Sequence, residues 1–283
     1  MIDSIRQKTG ASLRRVCRVL DLPRSSYHAA SKPTATRLED QVLGDRIEGV
    51  FREHRRCYGY RRIHDELRDL GLTCCPARVR RLMKERRLRA LQPKNFIPRT
   101  SDGKANCPSP NLLAAESAPS RINQAWAGDI TYIPTSKGWR YLAIVMDLHS
   151  RRIIGWSLAD HMRAELVCAA LKQALGSRGS HPGVIFHSDR GSQYGSRQFR
   201  DLLAKAGARQ SMSARANPYD NAWTESCIGT IKHEMLQGGE FIDDTDARTE
   251  LFSYIDGYYN TRRKHSSLGY RTPSQYELTP HKN

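Results

Sequence analysis

The chain has few acidic residues for its length. Only 29 aspartates and glutamates stand against 46 lysines and arginines, giving a formal net charge of +17 over 283 residues. So large an excess indicates a polyanionic partner, with nucleic acid the first candidate and an anionic membrane the second. The first 100 residues contain 24 of the basic residues and 11 of the acidic ones. Most of the excess charge therefore lies in the first third, where we expect a DNA-contacting module.

Long apolar runs are also missing. The longest, such as YLAIVM at 141–146, fall well short of the roughly 20 residues that a membrane-spanning helix needs. The N-terminal stretch, MIDSIRQKTG, lacks the apolar core of a secretory signal. Both absences weaken the membrane interpretation and favour nucleic acid as the partner, bound in the cytoplasm.

Paired cysteines are absent as well. The seven cysteines are scattered, odd in number and nowhere spaced as C-x-x-C, which is typical of free thiols in a reducing compartment. A zinc site made of His54, His64, Cys74 and Cys75 is the alternative. Adjacent cysteines lack the usual spacing of zinc ligands, so we interpret these four as ordinary helix residues.

Residues 1–36 predict a short helical segment, like a helix-turn-helix, followed by a linker. Ser12 is placed to cap a helix, and a second short helix is expected from Arg24 or Ser25. The linker is the AASKPTAT stretch at 29–36. A plain amphipathic hairpin with solvated arginines remains the alternative. The expected apolar face of the first helix consists of Leu13, Val16, Val19 and Leu20.

Residues 37–95 predict a basic helix-turn-helix domain. One helix is expected from Leu38 to Phe51, a second carries Ile63, Leu67 and Leu70 on one face and stops at Gly71, and a third is opened by Pro76. Val79, Leu82, Met83 and Leu88 should face inward on the third helix. Its other faces are strongly basic, which favours phosphate contacts over a merely solvated charge run. The residues expected to contact DNA there are Arg78, Arg80, Arg81, Lys84 and Arg87.

After a linker at 96–120, the pattern changes to apolar, β-branched runs separated by turns. A meander of strands followed by crossovers predicts an α/β domain over 121–236, with a five-stranded sheet covered by helices. Residues 237–283 are expected to form a further helix and a basic tail. The strands that can be located are 124–133, 139–148, 153–158 and 183–187, and the helices are 164–175, 198–206, 222–235 and 245–259.

Three acidic residues of this domain form a candidate metal site. Asp129 lies in the strand WAGDITYI, Asp189 follows the apolar run GVIFHS, and Glu225 lies on a predicted helix after a gap of 35 residues. Carboxylates on two strands and a helix suit Mg²⁺, which prefers oxygen ligands. Asp147 is an alternative ligand, although its place before a turn favours a cap. Glu234 is another, but it faces roughly 180° away from Glu225, since each helical residue turns about 100°.

Four motifs carry a resemblance to a known family, and they cover much of the chain: 126–133 (WAGDITYI), 186–194 (FHSDRGSQY), 217–234 (NPYDNAWTESCIGTIKHE) and 258–276 (YYNTRRKHSSLGYRTPSQY). With them the sequence resembles the OrfB transposases of the IS3 family of bacterial insertion sequences, relatives of retroviral integrases. The basic segment 40–95 also looks like the helix-turn-helix module that precedes the core in this family. The resemblance implies an RNase H-like integrase core with a mixed five-stranded sheet.

The same resemblance implies specific roles for residues. Asp129, Asp189 and Glu225 would be the catalytic triad and the ligands of two Mg²⁺ or Mn²⁺ ions, and Lys232 would contact the transposon end. Lys232 as a solvated lysine is the alternative. The basic tail would bind DNA through Arg262, Arg263 and Lys264. His187 would tune the site or only fill a strand end, and Asn221 would support the site by shaping the loop at 213–221.

The implied activity is metal-dependent cleavage of DNA 3′ ends and transfer of those ends to a target. The implied partners are the terminal repeats of the insertion sequence, target DNA, further copies of the chain, and an upstream-frame protein or fusion. A non-catalytic DNA-binding repressor or remnant would also explain the basic first third, though not three acids in a separate domain. An RNase H-like nuclease would share the chemistry of the core but has little use for two helix-turn-helix segments.

Overall fold

The computed structural model describes residues 1–31, 35–91, 109–116, 118–214 and 222–279. The chain divides into two compact units, Met1–Ala90 and Leu91–Asn283. Within the described ranges no helix is both long enough and apolar enough to cross a membrane. The units are described one at a time.

All the regular secondary structure described in the first unit is helical. Ser12 caps the second helix by accepting a hydrogen bond from the backbone N–H of Arg15 at 3.4 Å, as predicted. Val19 is exposed, so the prediction that it shares the inward face was wrong. The helices also extend into the expected linker at 29–36, of which residues 32–34 lie outside the described residues. The helices are α1 (Ile2–Thr9), α2 (Leu13–Val19), α3 (Arg24–Ser31), α4 (Ala35–Glu53), α5 (Tyr60–Asp69) and α6 (Pro76–Glu85).

Helices α4, α5 and α6 enclose a small apolar core. Pro76 opens α6, and Gly71 follows α5 with a left-handed φ of 77°, so both predicted boundary signals are confirmed. Leu70 is exposed because α5 has already ended at Asp69, which corrects its predicted inward position. Leu38 is exposed on α4 as well. The buried residues of this core are Ile47, Val50, Phe51, Tyr58, Ile63, Leu67, Val79, Leu82 and Met83.

The second unit is built on one mixed sheet with the strand order β3-β2-β1-β4-β5. β1 pairs with β2 and β2 with β3 in antiparallel fashion, whereas β1–β4 and β4–β5 are parallel. The fifth strand, which the apolar pattern did not locate, is the short polar stretch RQSM. The strands are β1 (Ala125–Thr135), β2 (Gly138–Asp147), β3 (Ile153–Ala159), β4 (Ile185–Ser188) and β5 (Arg209–Met212).

Helices cover both faces of the sheet. Trp126 and Ile130 of β1 lie in the core cluster that includes α8 and α9. Ala127 lies in the other cluster, with α10 and α11. Because side chains alternate along a strand, Asp129 belongs to the same face as Ala127, which is the α10 face. The helices are α7 (Leu112–Ala115), α8 (Ala164–Arg178), α9 (Arg197–Lys205), α10 (Ala222–Leu236), α11 (Asp244–Tyr254), continued by a π-helical turn (Ile255–Tyr259), and α12 (Pro273–Leu278).

The C-terminal stretch packs into the core of the sheet. Phe241, Leu251 and Tyr258 are buried in the cluster that contains Ala127. The side chain of Asn260 donates to the backbone oxygen of Ile153 at 2.9 Å and accepts from its N–H at 3.0 Å. These bonds fasten the stretch to the edge strand β3, a role that its basic composition did not predict.

Candidate active site

Asp129 and Asp189 lie side by side because of the register between β1 and β4. These strands are parallel neighbours, and Ala127 is paired with His187. Asp129 is two residues beyond Ala127, and Asp189 is two residues beyond His187. Side chains two residues apart point to the same face of a sheet, so both carboxyl groups reach the α10 face at the same level. Two short apolar strands thus bring together acids that are 60 residues apart in the sequence.

Asp129 is the electrostatic centre of the site. It is 8% exposed, and its Oδ1 accepts a hydrogen bond from the N–H of Ile130 at 2.8 Å. Burial, and then repulsion from Asp189 and Glu225, raises the pKa of Asp129 to about 8, against the opposing effects of the Ile130 N–H and Lys232. Four ionisable side chains therefore interact electrostatically at this site: Asp129 from β1, Asp189 at the end of β4, and Glu225 and Lys232 from α10.

The two members on α10 differ in exposure. Glu225 lies exposed in the first turn, and Lys232 follows seven residues later in a half-buried position. Burial lowers the pKa of Lys232, while the charge of Asp129 opposes that shift. A spacing of seven residues places both on one face of the helix. Asn221, expected to support this site, lies outside the described residues.

The atoms that face the site suit a hard cation. Imidazole and thiol groups nearby are engaged elsewhere: His187 bonds Ser211 and Ser213, and Cys227 donates to the hydroxyl of Tyr259 at 3.3 Å. Carboxylate oxygens remain, which is the donor set that Mg²⁺ and Mn²⁺ prefer. In the part of the chain that the structure describes, no three histidine, cysteine or acidic side chains are grouped closely enough to hold an ion by themselves. The donor chemistry fits the implied metal.

His187 joins two strands. It is fully buried, and its two ring nitrogens lie 2.8 Å from the Ser211 hydroxyl and 3.2 Å from the Ser213 hydroxyl. Ser211 also accepts from the backbone N–H of Leu112 at 2.9 Å. The sequence interpretation missed both serines because β5 was not recognised. His187 therefore holds β4 against β5 just before Asp189.

The two alternative carboxylates have structural roles. Asp147 is fully buried and accepts from the backbone N–H groups of Asn123 (2.7 Å), His149 (2.9 Å) and Ser150 (3.0 Å). The interpretation as a turn cap is thereby confirmed. Glu234 points away from the site and accepts from Arg263, so it does not replace Glu225.

The basic tail requires a correction. Arg263 and Lys264 are only 5% and 4% exposed, and Arg263 forms an ion pair with Glu234 at 2.8 Å. Side chains this buried do not reach a DNA phosphate, so the prediction that these two contact DNA was wrong. Arg262, between Thr261 and Arg263, is exposed, and its DNA contact stays a prediction.

The basic residues of α6 fall into two groups. Arg78 and Arg81 both donate to Asp40 of α4 at 2.7 Å, so part of their charge is already balanced. The other three, Arg80, Lys84 and Arg87, are exposed. The two groups of basic residues differ because Asp40 binds Arg78 and Arg81. Sequence spacing could not predict this pairing, since Asp40 lies 38 residues before Arg78.

The alternative zinc site is not formed. His54 stacks on Tyr58 with ring centroids 3.9 Å apart, and Nε2 of His64 lies 2.9 Å from the backbone oxygen of Cys74. Residues 35–91, which include all four proposed ligands, contain no group of three metal-ligating side chains. His64 lies in α5, whereas His54, Cys74 and Cys75 lie in the segments between helices, so the prediction that all four are helix residues was only partly right.

Comparison with known proteins agrees with the fold. An HTH-like domain model matches residues 37–96, and integrase core domain models match residues 119–218 and 206–273. The chain is 38% identical over 246 residues to the transposase for insertion sequence element IS904 of Lactococcus lactis subsp. lactis, which covers 87% of this chain and 97% of that protein. It is 37% identical over 270 residues to transposase InsF for insertion sequence IS3A of Escherichia coli, which covers 94% of each chain.

Among solved structures, the chain resembles the catalytic core domain of HTLV-2 integrase in complex with magnesium. The TM-score is 0.42 at 17% identity, over 55% of this chain and 96% of that one. The expected α/β fold, an integrase core preceded by a helix-turn-helix-like domain, is confirmed by the mixed five-stranded sheet and the family models. By its sequence over most of its length, this chain belongs to the IS3 family of insertion-sequence transposases.

Proposed function

We propose that Asp129, Asp189 and Glu225 are the catalytic carboxylates with which this transposase cleaves the 3′ ends of its insertion sequence and joins them to target DNA. The observation that carries the proposal is the register of β1 and β4, which places Asp129 beside Asp189 on the face covered by the helix of Glu225. Membership of a transposase family supports the reaction class, a polynucleotidyl transfer.

The three carboxylates would hold two Mg²⁺ ions, or Mn²⁺ in their place. Such ions, when bound, lower the pKa of an attacking water or 3′-hydroxyl and stabilise the leaving oxygen of a phosphodiester. The protein's part is to present oxygen ligands from the buried Asp129, the half-buried Asp189 and the exposed Glu225, while nearby imidazole and thiol groups are engaged elsewhere. The pKa of Asp129 is raised to about 8, so this carboxyl group holds a proton at neutral pH when no metal is bound. Binding of a cation would release that proton.

Lys232 supplies the positive charge on the same face of α10. Its ammonium group is placed to bind a phosphate oxygen of the transposon end while balancing Asp129. Arg80, Lys84 and Arg87 of the first unit would bind the DNA backbone further along, together with Arg262 of the tail. Their contacts position DNA without reading its sequence.

The DNA partners are the terminal repeats of the insertion sequence and a target duplex. Transposition brings two ends together, so the active form would be a multimer of this chain on DNA. An upstream-frame protein, free or fused, is the further partner that we expect. The protein would act in the bacterial cytoplasm, at the nucleoid.

Two other functions remain as alternatives. A repressor or catalytically inactive remnant would bind the terminal repeats without cutting them, and an RNase H-like nuclease would cut without joining. The acidic residues on the α10 face argue against the repressor or remnant, because a protein that only binds DNA gains nothing from burying Asp129 beside like charges.

A strand-transfer reaction tests the proposal. Purified protein, Mg²⁺ and the DNA ends that flank the gene are incubated, comparing the wild type with Glu225→Gln. The exposed Glu250 of α11 provides the matched control, Glu250→Gln. Joined product from the wild type and from Glu250→Gln, but not from Glu225→Gln, is expected. Joined product from Glu225→Gln would show that the catalytic glutamate is another residue.

The same protein preparations separate the alternatives. Nicked DNA without joined product would indicate the nuclease, and tight binding without nicking would indicate the repressor or remnant. Calorimetric titration with Mg²⁺ gives a readout besides activity, because replacing Asp189 with Asn should weaken binding of the ion without unfolding the protein.

A further inference from the structure

The turn between β2 and β3 holds an arginine in an unusual backbone conformation. Arg151 has a φ of 62°, and its N–H donates to the oxygen of Asp147 at 2.9 Å. The carboxylate of Asp147 fixes the same turn through His149 and Ser150. A left-handed conformation is uncommon for a long side chain, and such strained positions cluster at functional sites. The turn therefore holds Arg151 in a backbone conformation that glycine or asparagine adopts more easily.

The guanidinium of Arg151 is half-buried and has no carboxylate partner among the described residues. Its neighbour Arg152 shows the contrast, since it donates to Glu277 at 2.8 Å. Arg178 of α8 pairs with the same glutamate. Two arginines near this turn thus form ion pairs, whereas Arg151 forms none among the described residues and is influenced only indirectly by the carboxylate of Asp147. Taking the Arg151 guanidinium partly out of water is unfavourable unless an anion compensates the charge.

Arg151 instead lies over the ring of Trp223. Its Cζ is 5.3 Å from the ring centroid, and the indole is 37% exposed in the first turn of α10. Trp223 precedes Glu225 by two residues. The thiol of Cys227, one turn further along α10, is influenced by both Arg151 and Asp129. Trp223 and Glu225 emerge about 200° apart on the helix, so the Arg151–Trp223 pair lies beside the first turn of α10, the turn that carries Glu225, and on a different side of it.

We propose that Arg151 and Trp223 form a DNA-binding site beside the catalytic carboxylates, in which the guanidinium binds a backbone phosphate and the indole stacks on an unpaired nucleobase. The assignment of that DNA to the transposon end rests on the proposed function. An arginine with free donors suits a phosphate, and an exposed aromatic ring suits the face of a base. The net charge of +17 favours a nucleic acid over a second, equally basic copy of the chain as the occupant.

The stacking contact gives a specific advantage to a transposase. Because Asp129 is buried, local opening of the DNA end would help its terminal phosphodiester to approach this carboxyl group. A ring that receives an unpaired base stabilises that opened state, and a neighbouring guanidinium holds the backbone that leads to it. The pair would thus position the strand to be cut without taking part in the bond changes.

Fluorescence anisotropy in EDTA tests the site without cleavage. The probe is a duplex of the insertion-sequence end with a short single-stranded extension. We expect Trp223→Ala to weaken binding by about 5- to 100-fold, the range for one stacked base, and Trp223→Phe to retain most of the affinity. Arg151→Ala should reduce the slope of log affinity against log salt by about 1, whereas Trp223→Ala should leave that slope unchanged. Arg197→Ala, exposed on α9 at the opposite face, is the charge-matched control.

An abasic scan of the extension identifies the stacked base. At one position, loss of the base should weaken binding to the wild type and cause no further loss with Trp223→Ala. The site is wrong if no position behaves in this way, or if Trp223→Ala changes self-association in sedimentation while DNA affinity is unaltered. If the wild type shows this coupling but never cuts or joins DNA, the proposed catalysis fails and the binding site stands. If the wild type joins DNA and no variant loses affinity, the proposed catalysis stands and the proposed binding site is wrong.

Discussion

Glu234 of α10 and Arg263 of the C-terminal stretch form a buried ion pair. Nη2 of Arg263 lies 2.8 Å from Oε1 of Glu234, and the hydroxyl of Tyr254 donates to the other carboxylate oxygen at 2.8 Å. Burial lowers the pKa of Arg263, but Glu234 outweighs this effect and raises it, so the guanidinium stays charged. The same helix carries Glu225 nine residues earlier. The pair therefore anchors the helix that presents the catalytic glutamate.

Arg263→Ala should destabilise the protein, because it leaves the carboxylate of Glu234 buried without a counter-charge. The free energy of unfolding in urea is expected to fall by about 3 to 5 kcal/mol. Arg262→Ala is the matched control, since its exposed side chain should change stability by less than about 0.5 kcal/mol. Reduced DNA affinity with unchanged stability in Arg263→Ala would restore the DNA-contact role that burial argues against.

The metal-free protein should become less stable as pH rises, because of Asp129. Its pKa is raised from 3.8 to about 8, so the folded state holds a proton that the unfolded state has already lost. The contribution is fully present below pH 3.8 and disappears as pH approaches about 8. For one proton the slope is about 1.4 kcal/mol per pH unit. Urea unfolding in EDTA across this range, with wild type against Asp129→Asn, measures the difference.

Asp147→Asn provides the control for that experiment. It replaces one of the two oxygens that accept from three backbone N–H groups with an amide NH2, so it should lower stability by about 1 to 3 kcal/mol while leaving the Asp129-dependent slope in place. Added Mg²⁺ should flatten the wild-type slope, because a bound cation favours the ionised carboxylate. A wild-type slope equal to that of Asp129→Asn would mean that Asp129 is not protonated at neutral pH.

Asp40 should limit DNA binding by the first unit. Hydrogen bonds from Arg81 and Arg78 lower the pKa of Asp40, so the carboxylate is charged and competes with phosphate for both guanidinium groups. Asp40→Asn should therefore strengthen DNA binding and steepen its salt dependence. Lys84→Ala, which removes an exposed charge that forms no ion pair among the described residues, should reduce the salt slope by about 1. Titration of DNA affinity against salt measures both, and an unchanged slope in Lys84→Ala would exclude it from the interface.

The sequence predicted those parts of the fold that depend on local pattern. The apolar runs around Asp129 and before Asp189 were located because continuous burial leaves a clear signal. β5 was missed, since its polar residues, Arg209–Met212, become a strand only by pairing with β4. The burial of Arg263 could not be predicted either. A run of basic residues has the same sequence pattern whether its side chains are exposed to water or paired with a glutamate that is distant in the sequence.

Gly155 of β3 should be irreplaceable by alanine, because α8 packs directly against it. A Cβ at this position would lie 2.7 Å from the backbone nitrogen of Ala174 and still closer to the backbone oxygen of Ala170. Backbone atoms cannot rotate away, so Gly155→Ala should force α8 off the sheet and cost about 1 to 3 kcal/mol or more. Gly176→Ala, on the same helix with open space around it, should instead stabilise the protein by roughly 0.5 to 1 kcal/mol. Urea unfolding of both variants decides the matter, and equal stabilities would mean that α8 is not held at this distance from β3.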